Sequence, residues 1–395
     1  MNVFFMQPST AAIFGGLLGS PYATVETVAG FYCDTVSGCG HANGVGTFAG
    51  FAGPIGLEYD STNGVLYVAD NYNNLIRKIV ASSDAVSVFA GGGSQGGTIA
   101  GSSDGVGTFA MFAYPYGLAL DSSNGVLFVA DSGNGLVRRI ITNTNTVTTL
   151  AGSNYASAVN GVGTLATFAS PTGLALDRAI GVLYVAEFGR NLIRKIIVST
   201  ASVTTLAGGG GPSGNADGVG RFASFDGPYG LAYDSSNKVL FVSDFSNNLI
   251  RRIVTSTCAV TTLAGGGTTG GIEYGDADGV GTFALFSNPF GLAYNSFDDV
   301  LYVADGDNNK LRSIAVGTVT VTTLVGDGLT GHADGVGTSA TFFIPWGLAF
   351  DINTGVLFVS DTFNNLIRRV VAIDALTFAV SAADYCSRFV LRHKE

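Results

Sequence analysis

Three short runs decide the fold: Pro228-Tyr229-Gly230-Leu231-Ala232-Tyr233-Asp234, then Leu240-Phe241-Val242-Ser243-Asp244, then Asn248-Leu249-Ile250-Arg251-Arg252-Ile253. Each is short, rich in β-branched and aromatic residues, and bounded by Gly, Asn, Asp or Ser, as strands joined by tight turns are. A fourth run of the same kind follows at Val260-Thr261-Thr262-Leu263-Ala264-Gly265. The group recurs along the chain. An [Asp/Asn]-Gly-Val-Gly tetrapeptide starts at Asn43, Asp104, Asn160, Asp217, Asp278 and Asp334, and a proline stands 11 residues after each start. An acid follows each proline by 16 residues and an arginine follows each acid by seven: Asp70 and Arg77, Asp131 and Arg138, Glu187 and Arg194, Asp244 and Arg251, Asp305 and Arg312, Asp361 and Arg368. Offsets inside the unit do not vary. Length differences between units fall in one loop, before the next Gly-Val-Gly.

Four antiparallel strands repeated about every 58 residues describe a propeller blade. Asn124-Gly125 is read as a two-residue hairpin turn in the second unit, with both residues at φ > 0. The fold class is therefore all-β, a six-bladed β-propeller of four-stranded blades. The chain has 395 residues, 57 of them Gly, and only 12% are charged. Glycine without a G-X-Y period excludes collagen, and the Val, Ile, Leu and Phe content excludes general disorder. A net charge of −10 excludes an ordinary nucleic-acid binder.

Pro-x-Gly-Leu-Ala-x-Asp, Leu-[Tyr/Phe]-Val-[Ala/Ser]-Asp and Asn-x-Ile-Arg-[Lys/Arg]-Ile resemble the NHL repeat of six-bladed β-propellers. The resemblance covers roughly residues 24–371. It implies the fold far more than the activity, since such propellers include binding platforms, receptor sensor domains, RNA binders and a metal-dependent lyase.

The ends set the domain organisation: residues 1–23 as an N-terminal extension, 24–371 as the propeller, 372–395 as a C-terminal tail. Thr24 to Gly30 matches a fourth strand with no unit before it. It is expected to cross to the last blade and close the ring, removing an exposed edge. The rival is that Leu376 to Ala382 completes that blade; a decayed seventh unit over Val3 to Gly16 is the third option. Residues 1–23 read as a packed strap, a leader or an arm donated to a second copy.

Eleven of the 19 basic residues occupy the third-strand Arg slot and its neighbour. The Asp–Arg spacing predicts one structural ion pair per blade. The residues after each repeat proline, Ile55, Tyr116, Thr172, Tyr229, Phe290 and Trp346, would ring one mouth of the channel. They are the candidate binding set, for a protein or carbohydrate partner. Packing between blades is the alternative. Cys33 and Cys39 flank one loop and are expected to form a disulfide in an oxidising compartment.

His41, His332 and His393 are too few and scattered for a metal centre. Glu273, Asp276 and Asp278 echo part of a calcium loop, but Asp278-Gly279 is also the repeat's own turn. No metal, cofactor, nucleic acid or membrane span is expected, and no catalytic set is found. The expected function is a non-catalytic binding or assembly module, extracellular, with its terminal arms as a route to oligomers and filaments. The alternatives are a metal-dependent propeller enzyme of the lyase or lactonase type, and the sensor domain of a larger receptor.

Overall fold

The computed structural model describes residues 23–33, 40–94, 97–155, 157–209, 213–268 and 271–372. They form six antiparallel sheets arranged as the blades of one ring. In the second blade the strands run outward from the axis as Pro115–Asp121, Val126–Asp131, Leu136–Ile141 and Thr146–Gly152. Each blade carries a fifth, two-residue strand at its outer edge, here Gly105–Val106 paired with Val147 and Thr146. The Gly-Val of the tetrapeptide, legible only as a turn signal, supplies this strand. Each unit thus enters its blade at the rim, crosses to the axis and winds out again.

The last blade takes its fourth strand from the other end of the chain. Ala23–Ala29 pairs with Leu366–Ala372, Thr24 facing Val371 and Thr27 facing Arg368. Ala23, Val25 and Ala29 are fully buried there. Residues 1–22 and 373–395, including Leu376 to Ala382, His393 and Cys386, lie outside the described residues.

The hairpin at Asn124-Gly125 differs from its expected form. Strands end at Asp121 and resume at Val126, leaving a four-residue loop in which Gly125 alone is left-handed, at φ 62°. The Asp121 carboxylate holds the loop by accepting from the Asn124 amide and the Ser123 hydroxyl. A capping acid at the strand end substitutes for a two-residue turn with two positive φ angles.

The core lies in the six interfaces between blades, not inside any one sheet. One phenylalanine per blade wedges into its neighbour: Phe51, Phe112, Phe168, Phe225, Phe286 and Phe342, all fully buried. Phe112 packs on Gly91, which ends the previous blade's fourth strand at φ 101°; a Cβ there would collide with the ring and with the Asn74 carbonyl. Gly30 presents the same surface to Phe51, so the closing strand reproduces an ordinary blade contact. Asparagines in left-handed turns add a second link. The side-chain oxygen of Asn365 accepts from the Gly53 amide of blade one at 2.8 Å, and that of Asn248 accepts from Asn288 at 2.9 Å.

Candidate functional site

Each predicted acid–arginine pair is formed and fully buried. Arg251 Nη1 lies 2.8 Å from Asp244, and the other five pairs span 2.6–2.8 Å. The acid's second oxygen accepts a backbone N–H from the loop before the repeat proline, as Asp244 does from Asp226 at 2.7 Å. In five blades the Asn three residues on donates to the first oxygen, as Asn247 does to Asp244; in blade three that position is Arg190. Each guanidinium stacks on its blade's wedge phenylalanine, 5.1–5.3 Å from the ring centroid. Burial pushes the carboxyls of Asp244, Asp305 and Asp361 up to about 6, against the pull of their arginines. The [Asp/Asn] that opens each repeat is a partner the sequence did not disclose: Arg138, Arg251, Arg312 and Arg368 reach Asp104, Asp217, Asp278 and Asp334 at 2.7–2.9 Å. The arginine therefore pins the outermost strand to the interior.

Asp278 is accordingly engaged with Arg312, and Asp276 with Lys310 Nζ at 2.6 Å. The acidic loop is not assembled as a cation cage. Among the described residues no group of three or more His, Cys, Asp or Glu converges to hold a metal ion. His332 stacks on Tyr32 at 4.2 Å. Cys33 is disulfide-bonded; Cys39 lies outside the described residues, and Cys258 is a free, half-buried thiol.

The axis is where the blades converge, and its two ends differ. The glycine two residues after each repeat proline lets neighbouring inner strands touch: a Cβ on Gly230 would run into the Phe290 carbonyl, and one on Gly347 into that of Ile55. At the adjacent mouth the six candidate binding residues meet. Trp346 stacks 4.0 Å from Phe290 and 5.6 Å from Tyr229, and Tyr116 closes edge-on at 5.8 Å from Tyr229. Ile55 and Thr172 are buried beside them. These side chains fill the channel, leaving a cavity of about 70 Å³. An apolar shell with little solvent holds the Tyr229 phenol well above its ordinary range.

The other mouth is open. Beyond a ring of leucines, among them Leu174, Leu231, Leu292 and Leu348, the channel widens into a bowl of about 510 Å³. Ala119, Ala175, Ala232, Ala293 and Ala349 line its wall together with Ser61 and Ser235, and Tyr59, Tyr233, Tyr294 and Phe350 also border it. Two charged side chains face into it. Glu58 accepts the Leu120 amide at 3.2 Å, and Arg178 donates from Nε to the Leu120 carbonyl at 3.0 Å. Their charged groups are 3.9 Å apart, with 26% and 52% of the side chains exposed. Burial among the channel walls pushes the Glu58 carboxyl up to about 7; Arg178 is the largest opposing influence. Sequence reading missed both, although the signal was there. Glu58 stands where the other units have Ala119, Ala175, Ala232, Ala293 and Ala349, and Arg178 where four units have Ser61, Ser122, Ser235 and Ser296. Departures from a repeat in fixed register mark positions the scaffold does not require.

Six radial blades around a channel plugged at one mouth and open at the other define a six-bladed β-propeller. The NHL repeat family model matches residues 112–140. The chain is 31% identical over 323 residues to Protein SUPPRESSOR OF QUENCHING 1, chloroplastic, of Arabidopsis thaliana, covering 82% of this chain and 25% of that protein. It is 29% identical over 301 residues to human NHL repeat-containing protein 2, covering 70% and 41%. The chain thus spans well under half the length of these curated relatives. Among solved structures, an auxiliary nutrient binding protein from Bacteroides thetaiotaomicron matches with a TM-score of 0.65 at 16% identity, covering 88% of this chain and 76% of that one. A gluconolactonase from Xanthomonas campestris matches at 0.54 with 14% identity, covering 89% and 90%. These structures share the fold. The chain belongs to the NHL-repeat β-propellers. No helix among the described residues is long and apolar enough to cross a membrane.

Proposed function

We propose that this propeller is a binding module whose ligand enters the open mouth of the channel. The observation that carries this reading is the asymmetry of the axis. Ile55, Tyr116, Thr172, Tyr229, Phe290 and Trp346 seal one end, while the other keeps a bowl of about 510 Å³ whose lining mixes Ala and Leu side chains with polar groups, Glu58 and Arg178 among them. That volume lies within the roughly 300–1,000 Å³ usual for small-molecule sites. The metal-dependent enzyme reading lacks a converging ligand set among the described residues. The fluorescent anion 8-anilinonaphthalene-1-sulfonate offers aromatic rings to the Ala and Leu side chains and a sulfonate to Arg178, so it serves as the probe. It is expected to bind with 1:1 stoichiometry, and Ala232→Trp, which fills the bowl from its wall, to abolish the enhancement. An enhancement untouched by that substitution would remove the bowl as the site.

A second reading, self-assembly, has its own support. Five blades expose the same apolar pair at the rim: Val45 with Phe48, Val106 with Phe109, Val162 with Leu165, Val219 with Phe222 and Val280 with Phe283. Phe48 is 84% exposed. Repeated apolar patches on a ring suit contact with further copies of the chain. Changing Phe48, Phe109, Phe222 and Phe283 to Ser is expected to shift light-scattering mass from oligomer to monomer; an unchanged mass would end this reading. Placement outside the reducing cytosol is supported by the Cys33 disulfide. Thiol labelling of the native protein checks it, with a labelled Cys33 as the adverse result.

A further inference from the structure

We propose that Glu58 and Arg178 together recognise a small zwitterion, an α-amino acid with an apolar side chain, in the open bowl. The inference rests on the binding reading above and adds the ligand's chemical class. The ring itself needs neither group, since five blades are built with Ala in the Glu58 slot and four with Ser in the Arg178 slot. Both charges nevertheless sit on adjoining walls of one cavity, held 3.9 Å apart by their shared grip on Leu120. Among the described residues the outer Glu58 oxygen and the terminal Arg178 nitrogens have no hydrogen-bond partner, so each can meet a ligand.

An α-amino acid carries its ammonium and carboxylate on one carbon, a spacing that matches the pair. The guanidinium fork takes a carboxylate through two parallel hydrogen bonds, and the carboxylate of Glu58 takes the ammonium. A zwitterion answers both charges of the ionised Glu58–Arg178 pair, whereas a singly charged ligand would leave one of them unanswered. The leucine ring below receives the apolar side chain.

The proton on Glu58 couples to binding. Arg178 and Asp60 are the charged groups that act on it, the first lowering and the second raising its carboxyl. With that carboxyl near 7, the ionised form that an ammonium requires rises from a small fraction at pH 6 to most of the protein at pH 8. Apparent affinity is reduced by the competent fraction, so it should strengthen by about tenfold across that interval.

Calorimetric titration of the full chain with L-leucine, with leucinamide and with 4-methylpentanoate tests the proposal. The second keeps only the ammonium and the third only the carboxylate. Leucine is expected to bind 1:1, at least about tenfold tighter than either, and more tightly at pH 8 than at pH 6. Glu58→Ala and Arg178→Ser restore the residues of the other blades and should each remove that advantage with melting temperatures kept; Glu58→Gln, which keeps the volume, should act like Glu58→Ala. No leucine binding, equal binding of the analogues, or leucine affinity unchanged in the variants would overturn the proposal. If the naphthalene probe still responds to Ala232→Trp while leucine does not bind, the zwitterion falls and the binding reading stands. If the probe ignores Ala232→Trp, the binding reading falls as well.

Discussion

Arg251→Met is expected to lower the unfolding free energy by about 3–5 kcal/mol, the usual cost of leaving a buried charge without its partner. Asp244 stays fully buried in the variant while its guanidinium partner at 2.8 Å is gone. Only the Asp226 amide and the Asn247 side chain remain on its oxygens. The Ser224 carbonyl loses its donor, while the Ala216 carbonyl and the Asp217 carboxylate each lose one and keep the Ser224 amide and the Thr262 hydroxyl. The stacking on Phe225 goes too. Urea unfolding followed by Trp346 fluorescence measures the change, and a loss under about 1 kcal/mol would mean that the pair is dispensable.

The pH dependence has a defined sign. Burial already raises the Asp244 carboxyl to about 6, and Arg251 is the largest influence opposing it. Without the arginine the folded-state value rises further above the unfolded one. A carboxyl of that kind costs stability as pH rises through the interval between the two values. The defect should therefore be smaller at pH 5 than at pH 8. Asp244→Leu added to Arg251→Met removes the stranded charge and should recover part of the loss, as an apolar replacement of a buried pair often does.

Removal of residues 1–30 is expected to cost the ring about 5 kcal/mol or more, from buried side chains and strand hydrogen bonds together. Leu366–Ala372 would be left as a bare edge, and Ala23, Val25, Val28 and Ala29 would leave the interfaces between blades six, five and one. Gly30 would no longer back Phe51. An exposed, apolar edge strand pairs with whatever is at hand, so the truncated protein should also aggregate. A synthetic peptide of residues 20–31 offers the missing strand from outside, a mode of addition that open sheet edges accept. It should raise the melting temperature of the truncated chain in a concentration-dependent manner. A truncated chain that melts like the intact one would show that the ring closes without this strand.

Much of the scaffold is legible one residue at a time. The acid and arginine seven residues apart meet because a tight turn places them on neighbouring strands, Val242 facing Arg251. Thr24 to Gly30 is recognisable as a strand because it repeats Thr146 to Gly152, down to the glycine that accepts the next blade's phenylalanine. The arginine's partnership with Asp217 was not legible: the two stand 34 residues apart, and nothing in the spacing separates a turn former from a hydrogen-bond acceptor. The six residues after the prolines stand at one mouth, but whether they line it or fill it depends on ring sizes meeting at the axis. Phe290 and Trp346 do meet there, at 4.0 Å.

The repeat alone dictates most of the blade: its four long strands, their order, its buried ion pair and the sixfold count, but not the two-residue outer strand. Those features arise from contacts within one unit, and a constant register repeats them. Assembly of the blades is what leaves one mouth plugged and the other open, and what brings Glu58 and Arg178 into one cavity. Those two residues belong to blades one and three and both hold the backbone of Leu120 in blade two. They become neighbours only when 56–61-residue units curve around a common axis. The site is a property of the whole ring, because all six blades contribute to the walls of the bowl.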